Sequence, residues 1–246
     1  MALKEEFVKT GNWLFRWRSY LPLLMIGMLL IAVREFEHLG QSEILDDFWE
    51  MFCLTVSFFG LGIRIYTIGH RPKGTSGRST RHLKAATLNT TGIYSLVRHP
   101  LYLGNFFMWL GISLFVHLWW LTLICILIFG FYYERIMFSE EEFLRNKFGK
   151  QYEEWAENTP AFVPNLRGWK QPSLPFSIRT VLKKEYHGFF AIIVIFTLLE
   201  VVGDLFYEGK LELDSMWRII FAAGLLVWLT LRILEKKTNI LSDEGR

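Results

Sequence analysis

Apolar positions gather into runs at about 20–33, 48–68, 102–118, 119–133, 188–202 and 216–234, and except between the third and fourth, charge or proline returns between them. A helix needs about 20 residues to cross some 30 Å of hydrocarbon. The pattern therefore predicts an all-α polytopic membrane bundle of about six transmembrane helices. The first and fifth runs are short and must borrow flanking aromatics such as Trp13 and Trp17. Only His117 to Trp120 separates the third run from the fourth, too little for a loop, so a tight antiparallel helical hairpin is expected there.

Beyond the fourth run, residues 133–155 read as a helix continuing out of the membrane, with charges interleaved among Phe138, Phe143, Leu144, Phe148 and Tyr152. Pro160, Pro164, Pro172 and Pro175 then stop helical propagation. No internal repeat, low-complexity tract or second globular domain is evident.

Composition agrees with the hydropathy pattern. Of 246 residues, 52% are hydrophobic and 17% aromatic, which argues against a soluble domain. The net charge of +3 is too small and dispersed for a nucleic-acid tract. Its distribution carries more information than its size. Arg16 and Arg18 precede the first run, and Arg71, Lys73, Arg78, Arg81 and Lys84 follow the second. Arg145, Lys147, Lys150, Arg167, Lys170, Arg179, Lys183 and Lys184 fill the long loop after the fourth, and Arg232, Lys236 and Lys237 follow the last. The intervening loops are short or acidic, with Glu35, Glu37, Asp46 and Asp47 on one and Asp204, Glu208, Glu212 and Asp214 on the other. This asymmetry places both termini in the cytoplasm. The basic 71–84 loop matches anionic headgroups as well as it marks sidedness. Lys4, Glu5, Glu6 and Lys9 precede the first run without a signal-peptide cleavage pattern, so that span is expected to remain in the mature protein. Cys53 and Cys125 lie in apolar stretches without metal-ligand spacing, which excludes a thiol-redox or metal reading.

Candidate chemistry concentrates at the mouth of the third run. Pro100 disfavours helix at His99, so a helix should begin at Pro100 and leave Arg98 and His99 at its N-terminus, where unpaired N–H groups favour anions. Arg98 adds a planar donor fork suited to carboxylate or phosphate. Gly104, one turn in, permits close approach of either a flat ligand or another helix. Opposite, Glu134, Phe138, Glu141 and Arg145 recur at helical spacing, flanked by Glu140 and Glu142. Glu134 and Arg135 directly follow an apolar run, where an ion is costly unless paired or hydrated. In a soluble protein these would be an ordinary solvated face; facing Arg98 and His99, they predict a polar pocket.

The segment Gly92-Ile93-Tyr94-Ser95-Leu96-Val97-Arg98-His99-Pro100-Leu101-Tyr102-Leu103-Gly104, followed by Glu140-Glu141, Leu144, Phe148-Gly149, Tyr152, Trp155 and Val163-Pro164, resembles the isoprenylcysteine carboxyl methyltransferase and phospholipid methyltransferase family. Trp155 stands where that family often carries Tyr. The resemblance covers about 88–164 and divides the chain into N-terminal spans with a basic loop (1–87), a methyltransferase-like core (88–164), and a connector with C-terminal spans (165–246). It implies S-adenosylmethionine as cofactor, bound at the cytoplasmic side, and an amphiphilic lipid or lipidated acceptor entering from the bilayer. On that reading His99, Pro100, Tyr102, Gly104, Glu140, Glu141 and Tyr152 bind the cofactor, while Arg98 and Glu134 serve catalysis. Arg98 would hold the cofactor carboxylate or the acceptor anion. Tyr152 and Trp155 would pack over the cofactor. A carboxylate or phosphate acceptor needs no base, whereas an amine would need Glu134 or His99 to take its proton. The membrane would be the inner membrane of a bacterium or the endoplasmic reticulum of a eukaryote. No nucleic acid, metal or obligate protein partner is implied.

Two other readings remain. NADPH-dependent sterol and steroid reductases share a similar segment, with Asn after His-Pro and Glu after Tyr-x-Gly, but Leu101 and Asn105 occupy those positions here. A non-enzymatic membrane scaffold would tolerate loss of Arg98 or Glu141. Transport is disfavoured, since the sequence shows neither an inverted repeat nor an isolated midplane ion-pair set.

Overall fold

In hydrocarbon every backbone N–H and C=O must be satisfied within its own segment, so the apolar runs have little choice but helix. The computed structural model describes residues 2–35, 43–72, 75, 85–207, 209, 211 and 213–241. Its helices are α1 (Leu3–Trp17), α2 (Leu21–Ala32), α3 (Glu43–Gly69), α4 (Pro100–Leu114), α5 (Trp119–Phe148), α6 (Lys150–Asn158), α7 (Ile178–Tyr207) and α8 (Ser215–Lys237). Most of the basic 71–84 loop, and Glu37, Glu208 and Glu212 among the acidic positions, lie outside the described residues.

The expected six spans resolve differently. Among the described residues, four helices are long and apolar enough to cross a bilayer: α3 from Ile44, α5, α7 and α8. A fifth is reached if α1 and α2, bent by 72° about their junction, count as one span. The third apolar run contributes only the 15-residue α4. The protein is thus an all-α polytopic membrane bundle with four or five apolar spans. The hairpin is as expected: α4 stops at Leu114, α5 starts at Trp119, and His117 takes a left-handed conformation (φ 62°) in the turn between them.

Helix α5 has 30 residues, about 45 Å at 1.5 Å per residue, and so outruns the hydrocarbon. Helix α1 docks antiparallel along the projecting part. Gly11 lies against the Arg135 carbonyl, Phe7 packs edge-on to Phe138 at 5.5 Å, and Tyr132 Oη donates to the Leu14 carbonyl at 2.8 Å. The expected continuous helix over 133–155 breaks at Gly149, whose φ of 53° is left-handed and favours glycine, and α6 departs from there.

Helix α3 packs along α4 and α7, and α7 pairs with α8. The α3–α4 seam is made of small residues. A Cβ at Gly60 would meet the Gly104 carbonyl at 2.4 Å, and one at Gly111 would meet the Cys53 carbonyl at 2.3 Å. Such seams let helices approach closely where lipid supplies no hydrophobic drive for association. Leu29, Leu54, Phe115, Leu121, Phe196 and Trp217 fill the main core, and Phe15, Tyr102, Phe129, Tyr133 and Ile136 form a second cluster. Exposed Leu24, Phe48, Phe131, Ile219 and Leu226 form the outward apolar surface expected of a protein in lipid.

Candidate active site

Pro100 starts α4 as predicted, with His99 as the non-helical residue before it (φ −120°, ψ 60°). The approach is held from the side by the proline-rich connector. Arg98 and His99 donate their backbone N–H groups to the Pro160 and Ala161 carbonyls at 2.9 and 3.2 Å, and Asn165 N donates to the Leu96 carbonyl at 2.9 Å. Gly92, at φ 60°, donates to the Lys170 carbonyl at 2.9 Å. Trp155 Nε1 donates to the Tyr94 carbonyl at 3.1 Å and fixes its indole beside the same segment.

This brackets a cavity of about 750 Å³, within the usual range of about 300–1,000 Å³ for small-molecule sites. Arg98, His99, Pro100, Tyr102 and Glu140 line it, with Tyr94, Leu144 and Trp155 beside them. Each His99 ring nitrogen faces a carboxylate: Nε2 lies 3.0 Å from Glu141 Oε1 and Nδ1 lies 3.6 Å from Glu140 Oε2. Tyr102 Oη donates to Glu140 Oε1 at 2.8 Å, and its ring stacks on His99. Glu141 stands one layer behind the lining. It pairs with Arg98 Nε at 3.2 Å, and the fully buried Tyr152 stands behind it. Burial pushes the Tyr94 phenol up to about 12 and also raises that of Tyr152, where the Glu141 charge adds to the effect. Both hydroxyls therefore remain protonated donors across the physiological range.

Two expected site residues fall elsewhere. Glu134 is exposed on α5 and does not line the cavity, because one residue earlier Tyr133 takes the inward position. Gly104 also lies off the lining; a Cβ there would meet the Arg64 side chain at 2.6 Å and the Gly60 carbonyl at 2.7 Å, so its close approach is to α3. Tyr152 acts behind Glu141, and only Trp155 of the expected aromatic pair reaches the cavity.

The structure also adds residues that sequence reasoning missed. Arg64 of α3 forks onto Glu185 of α7, with Nε to Oε2 and Nη2 to Oε1 both at 2.8 Å, and donates from Nη1 to Asn105 Oδ1 at 2.7 Å. Asn105 Nδ2 reaches Tyr133 Oη at 3.3 Å. All four line the cavity. A cation inside an apolar run was the available signal at Arg64, since such residues face protein or water. Nothing in the sequence pairs it with a glutamate 121 residues away. Among the described residues, no group of three or more His, Cys, Asp or Glu is placed to hold a metal ion.

Comparison with known proteins follows this geometry. The profile of the phospholipid methyltransferase family matches residues 52–151, from α3 through the Glu140-Glu141 pair to the start of α6. Probable protein-S-isoprenylcysteine O-methyltransferase of Oryza sativa subsp. indica is 30% identical over 146 residues, 56% of this chain and 75% of its own length. The chain belongs to the phospholipid and isoprenylcysteine methyltransferase family. Within it, protein-S-isoprenylcysteine O-methyltransferase of Schizosaccharomyces pombe is 33% identical over 96 residues, 36% of this chain and 40% of its own length. Nickel-cobalt-cadmium resistance protein NccN of Alcaligenes xylosoxydans xylosoxydans is 31% identical over 164 residues, 66% of this chain and 71% of its own. No solved structure matches. The family profile ends before α7, so Glu185 lies beyond the part of the chain that it describes.

Proposed function

We propose that this protein is an S-adenosylmethionine-dependent methyltransferase that modifies the polar head of a membrane amphiphile at the cytoplasmic face. The observation that carries the reading is one continuous cavity: the Arg98–Tyr102 motif and Glu140 line one part of it, and the side chains of Met108 and Trp109 extend it along α4 towards the apolar bundle. A water-soluble reactant and a lipid one can meet there. The family membership and the motif spacing support the same activity.

The lining fits S-adenosylmethionine chemically. Glu140, oriented by Tyr102 and His99, offers a carboxylate to a ligand ammonium or ribose hydroxyl. Trp155, pinned through its indole N–H, and the neutral Tyr94 phenol offer aromatic surface for adenine. When bound, S-adenosylmethionine supplies an electrophilic methyl group whose bond to sulfur breaks with the electron pair staying on sulfur. The chain's own contribution is alignment and water exclusion, and holding two reactants in register supplies on the order of 7 kcal/mol in favourable cases. Phe143, Leu144, Met108 and Trp109 keep the lining dry between its polar groups. Arg18, Arg71, Arg98 and Lys184 around the cavity support a cytoplasmic mouth by the same sidedness argument as the loops.

The test pairs a binding and a chemical readout on the purified protein. S-adenosylhomocysteine should raise the melting temperature whereas NADPH should not, and labelled methyl from S-adenosylmethionine should enter the lipid phase of extracted membranes. Absence of both effects would sink the reading. Tyr102→Phe removes the donor that orients Glu140; the expected result is about a ten-fold weaker S-adenosylhomocysteine affinity with little change in stability. Unchanged affinity would take Glu140 out of the cofactor site.

A further inference from the structure

The second polar cluster of the cavity, Arg64 with Glu185, Asn105 and Tyr133, has no role in the cofactor assignment. A guanidinium carries five N–H donors. Three are committed, to both Glu185 oxygens and to Asn105 Oδ1, and each terminal nitrogen keeps one more. The fork fixes the guanidinium plane, so those remaining donors are pre-aimed rather than free to rotate. Arg64 is only partly exposed, on the lining of the cavity.

The carboxylates of the lining are committed as well. Glu185 spends both oxygens on Arg64, and Glu140 takes the Tyr102 hydroxyl and faces His99. An amine reaching the cavity as ammonium must lose a proton to a base before it can react. An oxyanion needs none. Charge points the same way: among the described residues, five cations line the cavity (Arg18, Arg64, Arg71, Arg98 and Lys184) against two carboxylates (Glu140 and Glu185), with Glu141 behind Arg98. An electropositive cleft with low-dielectric walls concentrates anions.

On the methyltransferase reading, we propose that Arg64 receives the anionic headgroup oxygen of the methyl acceptor, with Glu185 of α7 as its positioning residue. The acceptor is then an acidic amphiphile, carboxylate or phosphate, and not an amine lipid. Because Glu185 lies beyond the family profile, α7 adds an acceptor-selecting element to the shared core.

The test uses the full-length protein in detergent with labelled S-adenosylmethionine and three probes: N-acetyl-S-farnesylcysteine for a carboxylate, phosphatidic acid for a phosphate, phosphatidylethanolamine for an amine. Wild type should label one of the two acids, which tells carboxylate from phosphate, and leave the amine lipid unlabelled. Arg64→Gln should raise KM for that acid about ten-fold or more, and Glu185→Gln by about three-fold, with kcat changed much less. Arg64→Lys should recover part of the loss. Stabilisation by S-adenosylhomocysteine should match wild type in all three variants. Labelling of phosphatidylethanolamine overturns the proposal, as does an Arg64→Gln protein with unchanged KM or with lost S-adenosylhomocysteine stabilisation. If no probe is labelled the proposal also falls; the methyltransferase reading survives that outcome where S-adenosylhomocysteine still stabilises the protein, and falls with it where it does not. The wild-type probe comparison stands even if a variant fails to fold.

Discussion

Glu141→Ala is expected to lower methyl transfer at least about a hundred-fold and to destabilise the protein by about 3 kcal/mol. The Glu141 carboxylate is what Arg98 Nε and His99 Nε2 share. Arg98 and Glu141 side chains are 18% and 19% exposed, so water cannot fully replace the lost partner. With it gone, a half-buried guanidinium keeps, among the described residues, a long contact to the Ala156 carbonyl at 3.5 Å, and the His99 ring is released from the side that orders it. Glu140 then loses its support as well, since Nδ1 of the same ring faces it. Glu142→Ala is the matched control. Glu142 meets Lys4 at 2.9 Å and Arg145 at 3.1 Å, partners that are 57% and 44% exposed. Such rim pairs are worth about 0.5 kcal/mol, so activity and melting temperature should barely move. Equal losses in the two variants would mean that the carboxylate run acts through helix stability rather than through the Arg98–His99 junction.

Gly60→Val is expected to abolish the folded protein, or to cost more than about 3 kcal/mol where some folds. The reason is backbone against backbone. A Cβ at Gly60 would sit 2.4 Å from the Gly104 carbonyl and 2.6 Å from Met108 N, and neither atom can swing aside as a side chain would. The hydrogen bond from Ser57 Oγ to the Met108 carbonyl, 2.8 Å long, would open with the seam. Helices α3 and α4 also carry Arg64 and Asn105, so separating them dismantles the Arg64–Asn105 side of the cavity before the Arg98–Glu140 side. Gly62→Val serves as the comparison, because nothing lies within 4 Å of a Cβ at Gly62. Thermal unfolding of both in detergent checks the argument. A Gly60→Val protein as stable as Gly62→Val would show that α3 and α4 do not pack through these glycines.

The motif was legible because its parts are local. Pro100 dictates where α4 begins, and with it the place of Arg98 and His99, without reference to the rest of the chain. Helical spacing likewise put Glu140 and Glu141 near the end of a long helix. Spacing could not say which glutamate faces inward. Glu134 and Glu141 are seven residues apart, nearly in register, yet Glu134 is exposed and Glu141 is engaged. The difference lies in what packs opposite each: the Arg98–His99 turn meets α5 only at its projecting end. Gly104 was similarly ambiguous between ligand and helix until α3 was seen against it.

The chain's hydropathy by itself determined an all-helical membrane protein, because lipid leaves the backbone no alternative, and its local motif determined the family and the cofactor-side candidates. The number of clear spans was left to the packed structure, since α4 is too short to cross on length alone and α1 bends away from α2. The tertiary structure alone decided the second half of the site. Arg64, Asn105, Tyr133 and Glu185 come from four different helices, and an ion pair spanning 121 residues is set by how α3 and α7 meet, which no periodicity along one helix encodes.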